Sequence, residues 1–196
     1  MRSIRFFTIC LAVIAFVGMS FTTDLTPPKK IDLTKSIVTW KGYKVTGSHE
    51  GTIQIKEANL DYDNGMLKGG QFTIDMTSIK CTDLEGDYGN KLVGHLKSDD
   101  FFGVNQFPDA VFKITKVASR GKAGEYKITG DITIKGTTKE IKFNAMTDAS
   151  GALMADVTID RTDYNVRYGS GSFFDNLGDK TIYDEFELKV KLVESN

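Results

Sequence analysis

Apolar residues recur at every second position through most of the chain. Val38 and Trp40 share one face, with Thr39 and Lys41 opposite. Ile53 and Ile55 alternate with Thr52, Gln54 and Lys56, and Phe72, Ile74 and Met76 with Thr73, Asp75 and Thr77. The same period runs through Ala110/Phe112/Ile114, Tyr126/Ile128/Gly130/Ile132/Ile134 and Ile141/Phe143/Ala145. It returns in Leu153/Ala155/Val157/Ile159 and Phe186/Leu188/Val190/Leu192. Successive strand side chains point to opposite faces, so each run predicts a strand with one apolar and one polar face. The pattern predicts eight strands of about 7–11 residues. Asn64-Gly65, Lys135-Gly136-Thr137-Thr138 and Ser150-Gly151 supply turns, which makes the order antiparallel and mostly up-and-down. One stretch has helical spacing: Asn90 to Ser98, with Leu92, Val93 and Leu96 on one side. It lies between the third and fourth strands, where it would cap one end of the sheet. A second long connection, Tyr164 to Thr181, is rich in Gly, Ser and Asp and centres on Phe173-Phe174.

Eight amphipathic strands must bury one face and protect two edges, and closing into a barrel does both. The fold class read from the pattern is therefore all-β, an eight-stranded antiparallel barrel with one short helix. Two alternatives share the alternation. One is a secreted β-sandwich interaction module with a filled core; the other is a small outer-membrane barrel, whose apolar face would meet lipid. Against the membrane barrel stand an outward face dense in Lys, Thr and Glu and the absence of aromatic girdles. The chain also finishes Val193-Glu194-Ser195-Asn196, without a terminal aromatic.

The first twenty residues read differently. Arg2 and Arg5 precede an apolar run from Phe6 to Val17, and Gly18-Met19-Ser20 offers small residues before a cut after Ser20. This is the layout of a secretory leader, and the run is short for a membrane span of roughly 17–25 residues. Residues 1–20 are thus expected to be a signal peptide, 21–30 a tether carrying Pro27-Pro28, and 31–196 one domain, periplasmic or secreted. Cys81 alone would remain after cleavage, so the domain must stand on its core without an internal disulfide. Its surroundings are not basic or His-rich, which suits a bland, partly buried thiol. With 25 Lys+Arg against 26 Asp+Glu, no basic surplus points to nucleic acid.

Particular segments resemble a known family. They are Thr77-Ser78-Ile79 with Cys81-Thr82, and His95-Leu96-Lys97-Ser98-Asp99-Asp100-Phe101-Phe102 followed by Phe107-Pro108-Asp109-Ala110-Val111-Phe112. Gly130 to Lys139 is similar to the family's central hairpin, and Asp160-Arg161-Thr162-Asp163-Tyr164 to its late arginine turn. The family is the YceI-like proteins, and the resemblance runs from about Ile31 to Val193. It implies a lipocalin-like barrel that binds polyisoprenoid and related lipids. The chain departs from the family pattern at Leu92-Val93, where an Arg-Asp pair is common, and at Tyr164-Asn165-Val166, where Phe-Gly-Ile is usual.

A barrel of this kind would hold its ligand against the apolar face. The expected lining is Val38, Trp40, Ile53, Ile55, Phe72, Ile74, Met76, Phe112, Ile114, Ile128, Ile132, Ile134, Phe143, Val157, Ile159, Phe186 and Leu188. Each buried CH₂ of an alkyl or isoprenoid chain contributes about 0.8 kcal/mol. Asn90, His95, Lys97, Arg161 and Arg167 are candidate contacts for a polar headgroup, arginine being suited to bidentate oxyanion pairing. Catalysis is not expected. His49 and His95 are far apart and carry no metal-binding spacing. Ser48-His49-Glu50 lies on one strand, where adjacent side chains diverge. The reading is an exported, non-enzymatic carrier or reservoir of a polyisoprenoid, isoprenoid quinone or fatty-acyl lipid. No cofactor is expected, transient membrane contact is, and the protein would be a monomer or homodimer.

Overall fold

The period-two runs form ladders that close on themselves in a computed structural model describing residues 29–195. The expected leader, most of the tether and Asn196 lie outside the described residues. In chain order the elements are β1 (Lys29–Lys30), β2 (Ile37–Lys44), β3 (Gly47–Asp63), β4 (Met66–Cys81), α1 (Gly86–Lys97) and β5 (Asp109–Ser119). There follow β6 (Glu125–Ile134), β7 (Thr137–Thr147), β8 (Leu153–Asp160) and β9 (Ile182–Leu192). Short 3₁₀ turns occupy Arg161–Tyr164 and Gly178–Lys180.

Each strand from β2 to β9 pairs antiparallel with its chain neighbour, and β2 pairs with β9 to close an eight-stranded barrel. The two-residue β1, placed by the sequence pattern in the tether, pairs with Leu60 and Asn59 on β3. Closure removes the sandwich alternative. The apolar residues turn inward and form one continuous core, the reverse of a lipid-facing barrel.

Three features depart from the expected pattern. First, β3 and β4 are 17 and 16 residues long, well beyond the expected range. Bulges hide their continuity from a period-two reading. Ile55 pairs with Ile74 but Glu57 with Thr73, so one extra residue in β3 shifts the inward face from Ile53/Ile55 to Ala58/Leu60. On β4 a larger excursion lies between Asp75 and Lys80. The Ser78 hydroxyl fills the break, accepting from the Gln54 N–H at 2.8 Å and donating to the Asp75 carbonyl at 2.6 Å.

Second, α1 begins four residues before the expected Asn90. Its first turn, Gly86–Gly89, has two glycines and no apolar spacing to announce it. A Cβ at Gly89 would lie 2.6 Å from the Leu84 carbonyl oxygen, so only glycine allows this approach. Third, the β7–β8 seam holds only at one end, where Ala145–Thr147 face Leu153–Ala155. Beyond it the Arg161–Tyr164 turn and Asn165 bridge to β7, through Asp163 with Lys139 at 3.6 Å and Asn165 Nδ2 with Thr137 Oγ1 at 3.4 Å.

The two barrel ends differ. One carries α1, the β2–β3 and β6–β7 hairpins and the β8–β9 connection, and is called the α1 end below. Lys135 Nζ ties its hairpin to the segment after α1, donating to the carbonyls of Asp99 and Phe101 at 2.8 and 2.7 Å. At the opposite end Ile31, Leu60, Leu67 and Tyr126 are buried in the core.

Candidate functional site

Inward-facing side chains from all eight barrel strands enclose an apolar cavity of about 200 Å³. Every residue of the expected lining, from Val38 to Leu188, borders it, whereas Tyr126 of the same alternation is buried at the opposite end. The alternation decides this locally, since β-branched and aromatic residues at every second position leave one wall without polar atoms. Phe72 and Phe112 stack at 6.2 Å between centroids, and Phe112 meets Phe143 at 5.5 Å. Trp40 shares the wall, and its indole N–H donates to the Lys80 carbonyl at 3.2 Å.

The α1 end supplies lining that the alternation did not announce. Leu96, from the last turn of α1, and Phe101 and Phe102, from the segment after it, close over the cavity. Their signal was the signature run His95 to Phe102, whose aromatic pair follows the helix. Gly42, Tyr43, Ile182, Tyr183 and Glu185 also line the cavity, where two residues of β2 oppose four of β9. Gly42 continues the inward series Val38, Trp40, and a Cβ there would have nothing within 4 Å. Tyr183 is 52% exposed, so the cavity meets the surface at this bulge, its mouth.

The five polar candidates do not converge on the cavity. Arg161 alone lines it, at 2% exposure, and its guanidinium is already committed. It donates to the carbonyls of Tyr183 (3.1 Å), Val166 (2.7 Å) and Ile182 (2.9 Å) and to Asp184 Oδ1 (3.3 Å). Burial pushes its pKa down, while Asp184 and Asp160 hold it up. The guanidinium also lies 5.5 Å from the Phe101 ring centroid. Arg161 thus braces the start of β9 against the turn after β8.

The other four are engaged elsewhere. Lys97 Nζ donates to the Thr77 carbonyl at 2.6 Å, pinning the helix end to the β4 excursion. His95 packs between Phe101 and Tyr168, with centroid distances of 5.6 and 4.4 Å, and its buried Nε2 has no hydrogen-bond partner among the described residues. Arg167 is exposed over the Phe173 ring at 4.5 Å. Asn90 lines a separate pocket between α1 and β4, together with Cys81 and Gly89. Helix phase and loop path decide these positions, and neither is visible in a residue type.

Cys81 belongs to a small polar cluster on the outer wall. Its Sγ lies 3.1 Å from Asp83 Oδ1, and His49 Nδ1 lies 2.9 Å from Asp83 Oδ2. Burial, then the Asp83 hydrogen bond, pushes the thiol pKa up, which disfavours a reactive thiolate. Among the described residues, no three His, Cys, Asp or Glu side chains converge to hold a metal ion.

A family model described as YceI-like domain matches residues 30–193. A UPF0312 protein of Shewanella denitrificans is 33% identical over 117 residues, 54% of this chain and 60% of that protein. One from Pseudomonas putida is 30% identical over 121 residues, 59% of this chain and 58% of that protein. The chain spans about six tenths of the length of these curated relatives. Among solved structures, Burkholderia cenocepacia BcnA matches with a TM-score of 0.67 and 25% identity, over 83% of this chain and 98% of that one. A polyisoprenoid binding domain from Saccharophagus degradans shares the fold, with a TM-score of 0.57 and 14% identity over 83% and 95% of the two chains.

Proposed function

The chain belongs to the YceI-like domain family, and from that membership and its interior we propose an exported, non-enzymatic binding protein for one long apolar ligand. The ligand class is a polyisoprenoid, isoprenoid quinone or fatty-acyl lipid, held in the barrel for transport or storage. The observation that carries this reading is the cavity, enclosed by apolar side chains from every barrel strand. A dry void of this size would cost the fold dispersion contacts all along its wall. A hydrocarbon chain restores them and leaves water at about 0.8 kcal/mol per CH₂. One structural neighbour is described as a polyisoprenoid binding domain, which supports the same ligand class. Export follows from the leader-like residues 1–20, and an aqueous compartment between membranes is where a nearly insoluble lipid needs a carrier.

Two measurements test the proposal. Mass spectrometry of organic extracts of the purified protein should reveal a prenyl or acyl lipid. Trp40, the chain's single tryptophan, lines the cavity, so a brominated prenyl or acyl chain should quench its emission in a saturable way. Absence of both co-purifying lipid and quenching refutes the carrier. Export predicts a protein released by osmotic shock with a new N-terminus near Phe21; a retained Met1 refutes it.

A further inference from the structure

We propose that the α1 end of the barrel docks on a lipid-bilayer surface through the aromatic lip formed by the β8–β9 connection and the start of β9. Five aromatic residues are strongly exposed among the described residues, and four of them, Tyr168, Phe173, Phe174 and Tyr183, belong to this one segment. Scattered exposed apolar residues are ordinary, but aromatics concentrated on one loop mark an interaction surface.

The lip is held in place. The Ile182 N–H donates to the Gly169 carbonyl at 2.8 Å, and the Ser172 hydroxyl donates to Asp184 Oδ2 at 2.5 Å. The N–H groups of Phe173 and Phe174 both donate to the Ser170 carbonyl, at 3.2 and 3.0 Å, while Ser170 itself is fully buried. Hydrogen bonds therefore fix the loop that carries both phenylalanines, and core packing does not require their rings.

Two observations point to a bilayer. The lip is continuous with the cavity mouth, because Ile182 and Tyr183 line the cavity and lead directly from it. Its unpaired charges nearly cancel: Arg167 and Lys180, with Lys44 of the neighbouring β2, stand against Asp175, Asp179 and Glu185, none of them in an ion pair among the described residues. Phe and Tyr beside a nearly neutral set of charges suit the headgroup level of a zwitterionic membrane, where rings insert and polar tips stay wet. Among the described residues, the large apolar side chains exposed at the opposite end are the non-aromatic Leu33, Ile37, Met66 and Met146, and buried Leu60 and Leu67 lie beneath it.

Docking sets the mouth against the bilayer for transfer of the ligand; that transfer rests on the carrier reading, and the docking itself does not. The test is flotation of the full chain with phosphatidylcholine/phosphatidylethanolamine vesicles. The wild type should float, equally at about 0.1 and about 0.5 M salt, since apolar insertion is not screened. The double variant Phe173→Ser/Phe174→Ser, with unchanged circular dichroism, should bind at least about tenfold more weakly. Met146→Ser, at the other end, should bind like the wild type. Trp40 quenching by a brominated prenyl lipid delivered from vesicles should slow about tenfold in the double variant, while quenching by the dispersed lipid should not change.

A wild type that does not float, or a double variant that floats equally well, overturns the docking. A wild-type dimer that the double variant dissociates, with no flotation of either, overturns it in favour of self-association. Flotation without any Trp40 quenching upholds the docking and counts against the carrier.

Discussion

Gly42 occupies an inward position of β2 where a side chain would stand in open space, at the bulge that brings the cavity to the surface. Filling that space should block the mouth without straining the wall. Gly42→Phe is expected to weaken Trp40 quenching by a brominated acyl chain at least about tenfold and to leave the melting temperature within about 3 °C. Unchanged quenching would mean that the ligand passes or sits elsewhere. Arg161 works in the opposite sense, as a strut. Arg161→Met would leave one buried carbonyl, two part-buried ones and Asp184 without their donor. The expected cost is about 3–5 kcal/mol in a denaturant titration, the range for breaking a buried charged pair. A loss below about 1 kcal/mol would show that water replaces the guanidinium readily. The sequence marked Arg161 as notable but not as internal, because its acceptors lie up to 23 positions away.

At the scale of elements, the bulges matter most. The extra residue in β3 turns Ala58 and Leu60 inward, although unbroken alternation from Ile55 would turn Glu57 and Asn59 inward. Leu60→Ala should therefore cost about 2–5 kcal/mol and Asn59→Ala no more than about 0.5, both read from denaturant melts. The reverse order would mean that the strand runs without its bulge. Gly51 shows why these long strands can cross so closely. A Cβ there would fall 1.8 Å from the Lys80 carbonyl oxygen and 2.7 Å from the Trp40 ring. Single bulges leave little trace in a sequence, since one unpaired residue resembles the end of a short strand. That is why β3 and β4 read as fragments while β6, which is free of them, read at nearly full length.

For the whole molecule, closure joins residues distant in the chain, and its polar seams respond to pH. Asp83, in the connection from β4 to α1, accepts from the Glu50 N–H at 3.1 Å and pairs with His49, both on β3. Desolvation pulls its carboxyl pKa up, but hydrogen bonds from Cys81, His49 and Glu50 outweigh it and hold the pKa near about 2. A carboxyl depressed below its unfolded value of about 3.9 stabilises the fold above that pH and loses its contribution as pH falls to the folded value. The wild type should thus lose melting temperature between about pH 4 and pH 2 more steeply than Asp83→Asn. Parallel acid profiles would show that the seam adds nothing. His49, Cys81 and Asp83 carried no joint signal in the sequence, because β3–β4 pairing alone brings them together.

The sequence by itself determined the class of fold and the identity of the inner wall. A period of two forces opposite faces apart, and water drives the apolar face inside wherever the strands lie. It also marked the helix between the third and fourth barrel strands and the Phe101-Phe102 pair beyond it. Only the tertiary structure decided where the wall opens, which strands run through a bulge, and whether a charged residue braces or faces the cavity. Those outcomes depend on register, on side-chain reach and on acceptors far away in the chain. Alternation fixes the face of each residue, whereas a mouth, a strut or a lip exists only once strands from both termini stand side by side.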